Sequence, residues 1–301
     1  MIELKNEKIA VPVVLFASLL WSFGPLVVRY MDDPQLVPWQ YIFGRGLTIF
    51  IILNLYLYFE EGINFYKNYK KIGKSGLLGG VGLGTAMISF IYSITNTSAA
   101  ITLLCLAAMP FFTAILAFLF LKEKISLNVW ISIVIAALGI IIMAIGNTEK
   151  NSLIGFIFGI VSSIGFSVFS VTLRWRKETP KFTTVAVAGL FCFIFATLVI
   201  LIKKQTFFAT SYNSTMFSLH GTLVCLGLIL YSIGSKAIPA AELTLLSLTE
   251  VIGGIFWVWL PLFGINEIPS TNTIVGGFFL FVSLVYYSLI MRWNKRFIAL
   301  N

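Results

Sequence analysis

Apolar residues run through this sequence in ten long blocks, at about 9–29, 38–59, 75–95, 99–120, 126–146, 152–174, 180–202, 216–236, 240–263 and 273–293. Each block is close to the roughly 20 residues that a helix needs to cross the hydrocarbon of a bilayer. The punctuation between blocks is short and made of turn or charged residues: Asp32-Asp33-Pro34, Lys122-Glu123-Lys124, Gly146-Asn147, Glu178-Thr179-Pro180, Ile238-Pro239 and Glu267-Ile268-Pro269. The longest stretch outside the blocks is about fifteen residues, which leaves no room for a soluble domain. The pattern predicts an all-α integral membrane protein of ten transmembrane helices.

The charges at the block ends set a direction. Of the 21 Lys and Arg residues, sixteen fall in connections or tails on the side of the N-terminus. Four (Arg29, Lys150, Lys203 and Lys204) fall on the other side, and Arg45 lies inside the second block. Cytoplasmic loops carry the excess of Lys and Arg, so both termini are expected in the cytoplasm. An odd number of spans would put the C-terminal cluster on the wrong side, which supports ten.

Short words recur in order along the two halves. Tyr92-Ser93-Ile94 returns as Tyr231-Ser232-Ile233, and Ala99-Ala100 as Ala240-Ala241. Thr102-Leu103-Leu104-Cys105-Leu106 returns as Thr244-Leu245-Leu246-Ser247-Leu248, and Lys122-Glu123-Lys124-Ile125-Ser126 as Asn266-Glu267-Ile268-Pro269-Ser270. Residues 1–147 and 148–301 therefore read as two copies of a five-helix unit. Because five is odd, the second copy enters the membrane from the opposite face. Such inverted repeats are the architecture of many secondary transporters, with the solute site on the axis between the copies.

Composition agrees. Apolar residues make up 58% of the 301, charged residues 11%, and the mean hydropathy is +0.95. A soluble domain carries about 25% charged residues. The net charge of +9 would suit a nucleic-acid binder, but the basic residues are confined to clusters between apolar blocks, so no nucleic-acid partner is expected. Cys105, Cys192 and Cys225 each lie inside an apolar block and read as packing residues, and one histidine (His220) offers no zinc-ligand cluster, so neither metal nor cofactor is expected. The first block has spanning length and lacks a clear cleavage site, and is read as a helix and not a signal peptide.

These words resemble the drug/metabolite transporter superfamily, in its ten-helix bacterial type with two EamA repeats. Trp21-Ser22-Phe23 is similar to the family's first-helix Trp followed by a small residue, and Arg45 fits a recurrent second-helix arginine. Leu119-Phe120-Leu121-Lys122-Glu123-Lys124-Ile125-Ser126 looks like the Leu-rich run that closes in Gly-Glu-Arg-Leu-Ser, with Lys122 in place of the glycine. Glu267-Ile268-Pro269-Ser270 with Ile274-Val275-Gly276-Gly277 resembles the second-repeat counterpart. Leu248-Thr249-Glu250 matches a frequent Leu-x-Glu, but the proline expected next is Val251, whereas the fourth helix keeps Pro110. The resemblance implies a metabolite carrier of a bacterial cytoplasmic membrane. It does not choose among the amino acids, nucleotide sugars, cations, drugs and polyamines that the superfamily handles.

Ionisable groups within a bilayer are costly and mark function by default. Glu250 lies near the middle of the ninth block. On an uninterrupted helix Ser247, Glu250, Gly254 and Trp257 share one face. Glu250 would bind a cationic group of the solute or carry a coupling proton, unless it is a structural acid bonded to a neighbouring helix. Trp21, Tyr92, Tyr231 and Trp257 could join it in an aromatic frame for an organic cation; ordinary packing is the alternative. Arg45 could hold a substrate carboxylate, with a structural pairing preferred. Glu242 would guard a cavity mouth or simply be solvated at a helix start, and His220 is expected at the interface. Trp39, Trp130, Trp175 and Trp293 fit an interfacial belt. Gly76, Gly80 and Gly84, like Gly155, Gly159 and Ser163, form small-residue stripes that let helices approach or slide.

No phosphate-binding loop of the Gly-x-x-x-x-Gly-Lys-Ser/Thr type is present, so ATP-driven pumping is not expected. One histidine and scattered acids argue against an intramembrane enzyme, and the short linkers offer no filter loop for a channel. The expected function is a secondary transporter of a cationic or zwitterionic amine or amino-acid-like solute. It would work by alternating access, driven by a coupling proton or ion or by exchange. Export of drugs or of aromatic and hydrophobic metabolites is the alternative.

Overall fold

The computed structural model describes residues 6–122, 127–146, 150–176, 178–235, 237–238 and 240–300. Among these the secondary structure is helical throughout, and all ten apolar blocks lie on helices. These are α1a (Glu7–Ser22) with α1b (Gly24–Tyr30), α2 (Pro38–Glu61), α3 (Gly73–Asn96), and α4a (Ala99–Leu106) with α4b (Met109–Leu121). They continue with α5 (Leu127–Gly146), α6 (Lys150–Trp175), α7 (Lys181–Ile202), α8 (Ser211–Gly234), α9a (Ala240–Leu246) with α9b (Thr249–Trp259), and α10 (Thr271–Leu300). Eight of these segments are long and apolar enough to cross a membrane, and Trp130–Ile145 and Thr271–Ser283 are shorter apolar helices. The protein is a multi-pass helical membrane protein. Several predicted features lie outside the described residues: Lys5, Lys124, Lys177 and Lys236 of the charge count, Glu123 to Ser126 after the fourth helix, and the turn residues Asn147 and Pro239.

Helix contacts carry the two-fold relation. The packed pairs include α3 with α6, α1 with α8, α3 with α7, α2 with α8, α4 with α6, and α1 with α9. Advancing each helix number by five turns α3–α6 into α8–α1, α3–α7 into α8–α2, and α4–α6 into α9–α1. The pairs α2–α7 and α5–α10 map onto themselves, as does the α4–α9 crossing, where α4a meets α9b and α4b meets α9a. The core is thus shared between the halves.

Bare backbone makes three of these crossings possible. A Cβ on Gly46 would sit 2.9 Å from the Gly189 carbonyl oxygen, and one on Gly189 would sit 2.9 Å from the Gly46 carbonyl oxygen. Gly82 and Gly165 face each other in the same reciprocal way where α3 meets α6, as do Gly139 and Gly276 where α5 meets α10. In lipid there is little hydrophobic force between helices, so close van der Waals approach of this kind supplies much of their attraction. The stripe of Gly76, Gly80 and Gly84 lies against Thr184, Val187 and Phe191 of α7, while Gly155 and Gly159 take Thr97 and Cys105.

Three helices are interrupted within the membrane. Pro25 and Pro110 each open a second segment because proline has no N–H to give to the preceding turn. The break in α9 needs no proline. There Leu248 and Glu250 make tight bonds to residues three back (3.2 and 3.0 Å). The hydroxyls of Ser247 and Thr249 donate to the carbonyls of Thr244 and Leu246 at 2.7 and 3.1 Å. Hydroxyls can satisfy carbonyls freed by a break in lipid, which leaves the chain free to turn.

Candidate functional site

The breaks in α4 and α9 meet at a central cavity. Its wall takes Trp21 from α1a, Arg45 from α2, Leu83, Ala86, Met87 and Phe90 from α3, and Leu106 and Met109 from the two sides of the α4 break. Ser162 and Phe166 of α6, His220, Val224 and Leu228 of α8, and Glu250 at the start of α9b complete it. Every one of α1, α2, α3, α4, α6, α8 and α9 contributes, so the site belongs to both halves. Its volume is about 50 Å³, well below the ~300–1,000 Å³ of pockets that enclose drug-sized ligands.

A basic and an acidic side chain share this small space. Arg45 is buried, and its Nε and Nη1 find no hydrogen-bond acceptor. Its guanidinium lies 5.7 Å from the centre of the Phe90 ring, a cation–π distance. Glu250 stands on the same wall within electrostatic reach of Arg45, but the two form no ion pair among the described residues. A cation with donors to spare and an acid line the same wall, together with the rings of Trp21, Phe90 and Phe166.

Neighbouring bonds hold the wall in place. Trp21 Nε1 donates to the Val224 carbonyl at 3.2 Å, and its ring meets Phe166 edge-on at 5.7 Å. Ser162 Oγ donates to the Ala86 carbonyl at 2.9 Å, and Ser167 Oγ reaches the Met109 carbonyl at the α4 break at 3.0 Å. His220 is hydrogen-bonded through Nδ1 to the Tyr41 hydroxyl. Gly24 leaves room for the imidazole, since a Cβ there would sit 2.7 Å from His220 Nε2.

Of the residues singled out by sequence, Trp21, Arg45, His220 and Glu250 come together at the cavity; Tyr92, Tyr231, Trp257, Ser247 and Glu242 lie elsewhere. Tyr231 is buried behind Trp21, with its hydroxyl 2.8 Å from Ser170 Oγ. Tyr92 packs between Trp39 and Phe158, with ring centres 5.0 and 5.1 Å away. Trp257 stacks on Phe23 at 5.1 Å and donates to Ser22 Oγ at 3.0 Å. Ser247 is buried at the α9 break, and Glu242 sits half-buried near the start of α9a. His220 corrects the interfacial expectation. The polar run from Ser211 already belongs to α8, which carries His220 nearly three turns into the helix, where it is 2% exposed. Trp39 is half-buried among aromatic rings, Trp130 and Trp175 are exposed, and the Trp293 side chain lies outside the described residues.

One crossing controls the position of Trp21. A Cβ at Gly227 would land on the Trp21 indole nitrogen. Gly227→Ala is expected to push the indole out of the cavity wall and to cost about 1–3 kcal/mol, the range for overpacking a tight core. Thermal melting in detergent measures it, and an unchanged midpoint would show that the indole moves freely.

A different arrangement lies at the face away from the N-terminus. Arg29 Nε donates to Glu267 Oε2 at 2.7 Å, Nη1 to the Ile94 carbonyl at 2.8 Å, and Nη2 to the Thr97 carbonyl at 3.0 Å. The other oxygen of Glu267 accepts the Ala99 N–H at 2.6 Å. This clasp joins the ends of α1b and α3 and the start of α4a to the α9–α10 connection. Beside it, Asp32 and Asn213 exchange two hydrogen bonds of 3.0 and 2.9 Å, and the Tyr30 hydroxyl donates to the Phe263 carbonyl at 2.9 Å.

With this geometry in view, residues 8–145 match the sequence profile of the EamA-like transporter family. Over those residues, a little under half of its length, the chain is similar to that family. An uncharacterized transporter of Helicobacter pylori strain J99 is 29% identical over 171 residues, which is 56% of each chain. The chain thus matches little more than half the length of that relative. An uncharacterized transporter of Clostridium kluyveri is 24% identical over 221 residues, 69% of each chain. A solved crystal structure superposes with a TM-score of 0.62 at 16% identity, over 95% of this chain and 99% of that one, and shares the fold.

Proposed function

We propose that this protein is a secondary carrier for a small zwitterionic organic solute, of the size and charge of an amino acid, moved by alternating access. The observation that carries this reading is the cavity pairing of Arg45, with two unpartnered guanidinium donors, and Glu250. A solute carboxylate on Arg45 would satisfy the buried donors with short charge-assisted bonds. Its ammonium would lie toward Glu250, and its body against Trp21, Phe90 and Phe166. Broken helices that meet at a midplane site are a recurrent transporter device. The cavity is too small for such a solute as it stands, so loading requires the segments around the α4 and α9 breaks to move apart. The halves 1–147 and 148–301 would be the units that rock. In this reading, which the charge bias supports, both termini would lie in the cytoplasm and the Arg29 clasp on the outer face of a bacterial cytoplasmic membrane. A second reading, export of neutral aromatic or hydrophobic metabolites, rests on the aromatic and aliphatic share of the same wall.

Melting temperatures with zwitterions, cations, anions and neutral aromatics separate these readings. A ligand at a hundredfold excess over Kd stabilises the folded state by about 2.7 kcal/mol. Zwitterions are expected to shift the midpoint most, and Glu250→Gln to remove that shift. Stabilisation by neutral aromatics only, or an undiminished zwitterion response in the variant, would overturn the assignment.

A further inference from the structure

The clasp at Arg29 has a counterpart in the second half. The ten residues from Trp21 to Tyr30 align without a gap on Phe166 to Trp175: aromatic on aromatic at both ends, Ser22 on Ser167, and Arg29 on Arg174. The structure supports that register. Trp21 and Phe166 both line the cavity. Ser22 Oγ donates to the Leu19 carbonyl at 2.7 Å and accepts from Trp257 of α9b, while Ser167 Oγ bonds Met109 of α4b, so both serines bond the broken helix of the opposite half. Since α1 and α6 cross the membrane in opposite senses, Arg29 and Arg174 reach opposite faces.

Their surroundings differ in one respect. Arg29 spends its guanidinium on one carboxylate and two carbonyls, whereas Arg174 keeps a buried Nη1 with no partner. Lys181, a buried cation at that face, donates to Ser235 Oγ. One face is clasped, and the matching cation at the other face has an unused donor.

We propose that Arg29 and Arg174 are the two gate residues of the alternation, engaged in turn. In this structure Arg29 locks the face away from the N-terminus. When that face opens, Arg174 makes the equivalent clasp at the N-terminal face. This inference rests on the transport reading. It explains how two faces of one fold alternate: each clasp spans both halves, so a rocking motion that makes one pulls the other apart.

The test reads conformation without any solute. Leu106→Cys, at the cavity wall, is introduced with Cys105, Cys192 and Cys225 replaced by alanine, and the protein is reconstituted in vesicles of known orientation. A membrane-impermeant maleimide is added to one face at a time. Arg29→Ala is expected to raise labelling from the clasped face about fivefold or more, the low end of coupling between linked sites, and to lower it from the N-terminal face. Arg174→Ala is expected to act in the opposite sense. Glu267→Gln should reproduce the Arg29 variant if the latter fails to fold, and Arg29→Lys, which keeps a cation with donors, should stay closer to the parent rates than Arg29→Ala. Unchanged labelling, or an increase from both faces in each variant, would overturn the gate assignment. Because the readout needs no ligand, unchanged labelling overturns the gate assignment alone, while the solute panel tests the zwitterion reading separately.

Discussion

Arg45→Met is expected to abolish stabilisation by zwitterions while leaving the ligand-free protein at least as stable as the parent. The guanidinium is buried with two donors unsatisfied, so in the absence of solute it is a cost carried by the fold. Methionine keeps an unbranched apolar chain and removes that cost, as replacement of buried charges by apolar side chains often does. Binding of zwitterions should weaken by about 2–5 kcal/mol, the range for truncating one partner of a buried hydrogen-bonded charge pair across an interface, enough to erase a stabilisation of about 2.7 kcal/mol. A purely structural arginine predicts the reverse: a fall of about 3–5 kcal/mol in ligand-free stability and an intact zwitterion response. Paired melting curves with and without ligand distinguish the two, and the double variant Arg45→Met with Glu250→Gln checks that a leftover acid does not confuse the reading.

The second large effect falls on the α2–α7 crossing. Gly46→Ala and Gly189→Ala are each expected to cost about 1–3 kcal/mol or more, because the new methyl meets backbone that cannot rotate away. The double variant should cost less than the sum. Once one methyl has forced the helices apart, the second finds part of its space already made, and neighbouring sites of this kind do not add. Denaturation of the four proteins in one detergent gives the cycle. Strict additivity would mean that the two helices yield independently and that the contact is not shared.

Much of the fold was legible because lipid imposes a simple rule on sequence. A spanning helix must be long and apolar, and all ten blocks coincide with helices. Legibility failed where polar residues continue a helix beyond the apolar block, as Ser211 to Thr215 do in α8; the omission made His220 look interfacial. It failed again at α9. A wheel drawn through Ser247, Glu250 and Trp257 assumes one helix, but the hydroxyl-bonded break at Ser247 and Leu248 ends that register, and no proline announces it. At the site, Glu250, Trp21 and Arg45 stood out because charge or indole at membrane depth is costly or rare. That Arg29 would find Glu267, 238 positions away, was not readable from either residue, since each looked like an ordinary charge at a block end.

The reciprocal glycine contacts also bear on how the protein is made. Gly46, Gly82 and Gly139 all lie in the first half, and each needs a backbone from the second half to cover it. A ribosome that has delivered five helices has therefore released a bundle whose tightest seams face lipid with nothing seated in them. Until the matching helices arrive, that half-made chain is a natural target for insertion factors and for membrane proteases. Fusing the two halves in reversed gene order would show whether the seams can close in either sequence of synthesis.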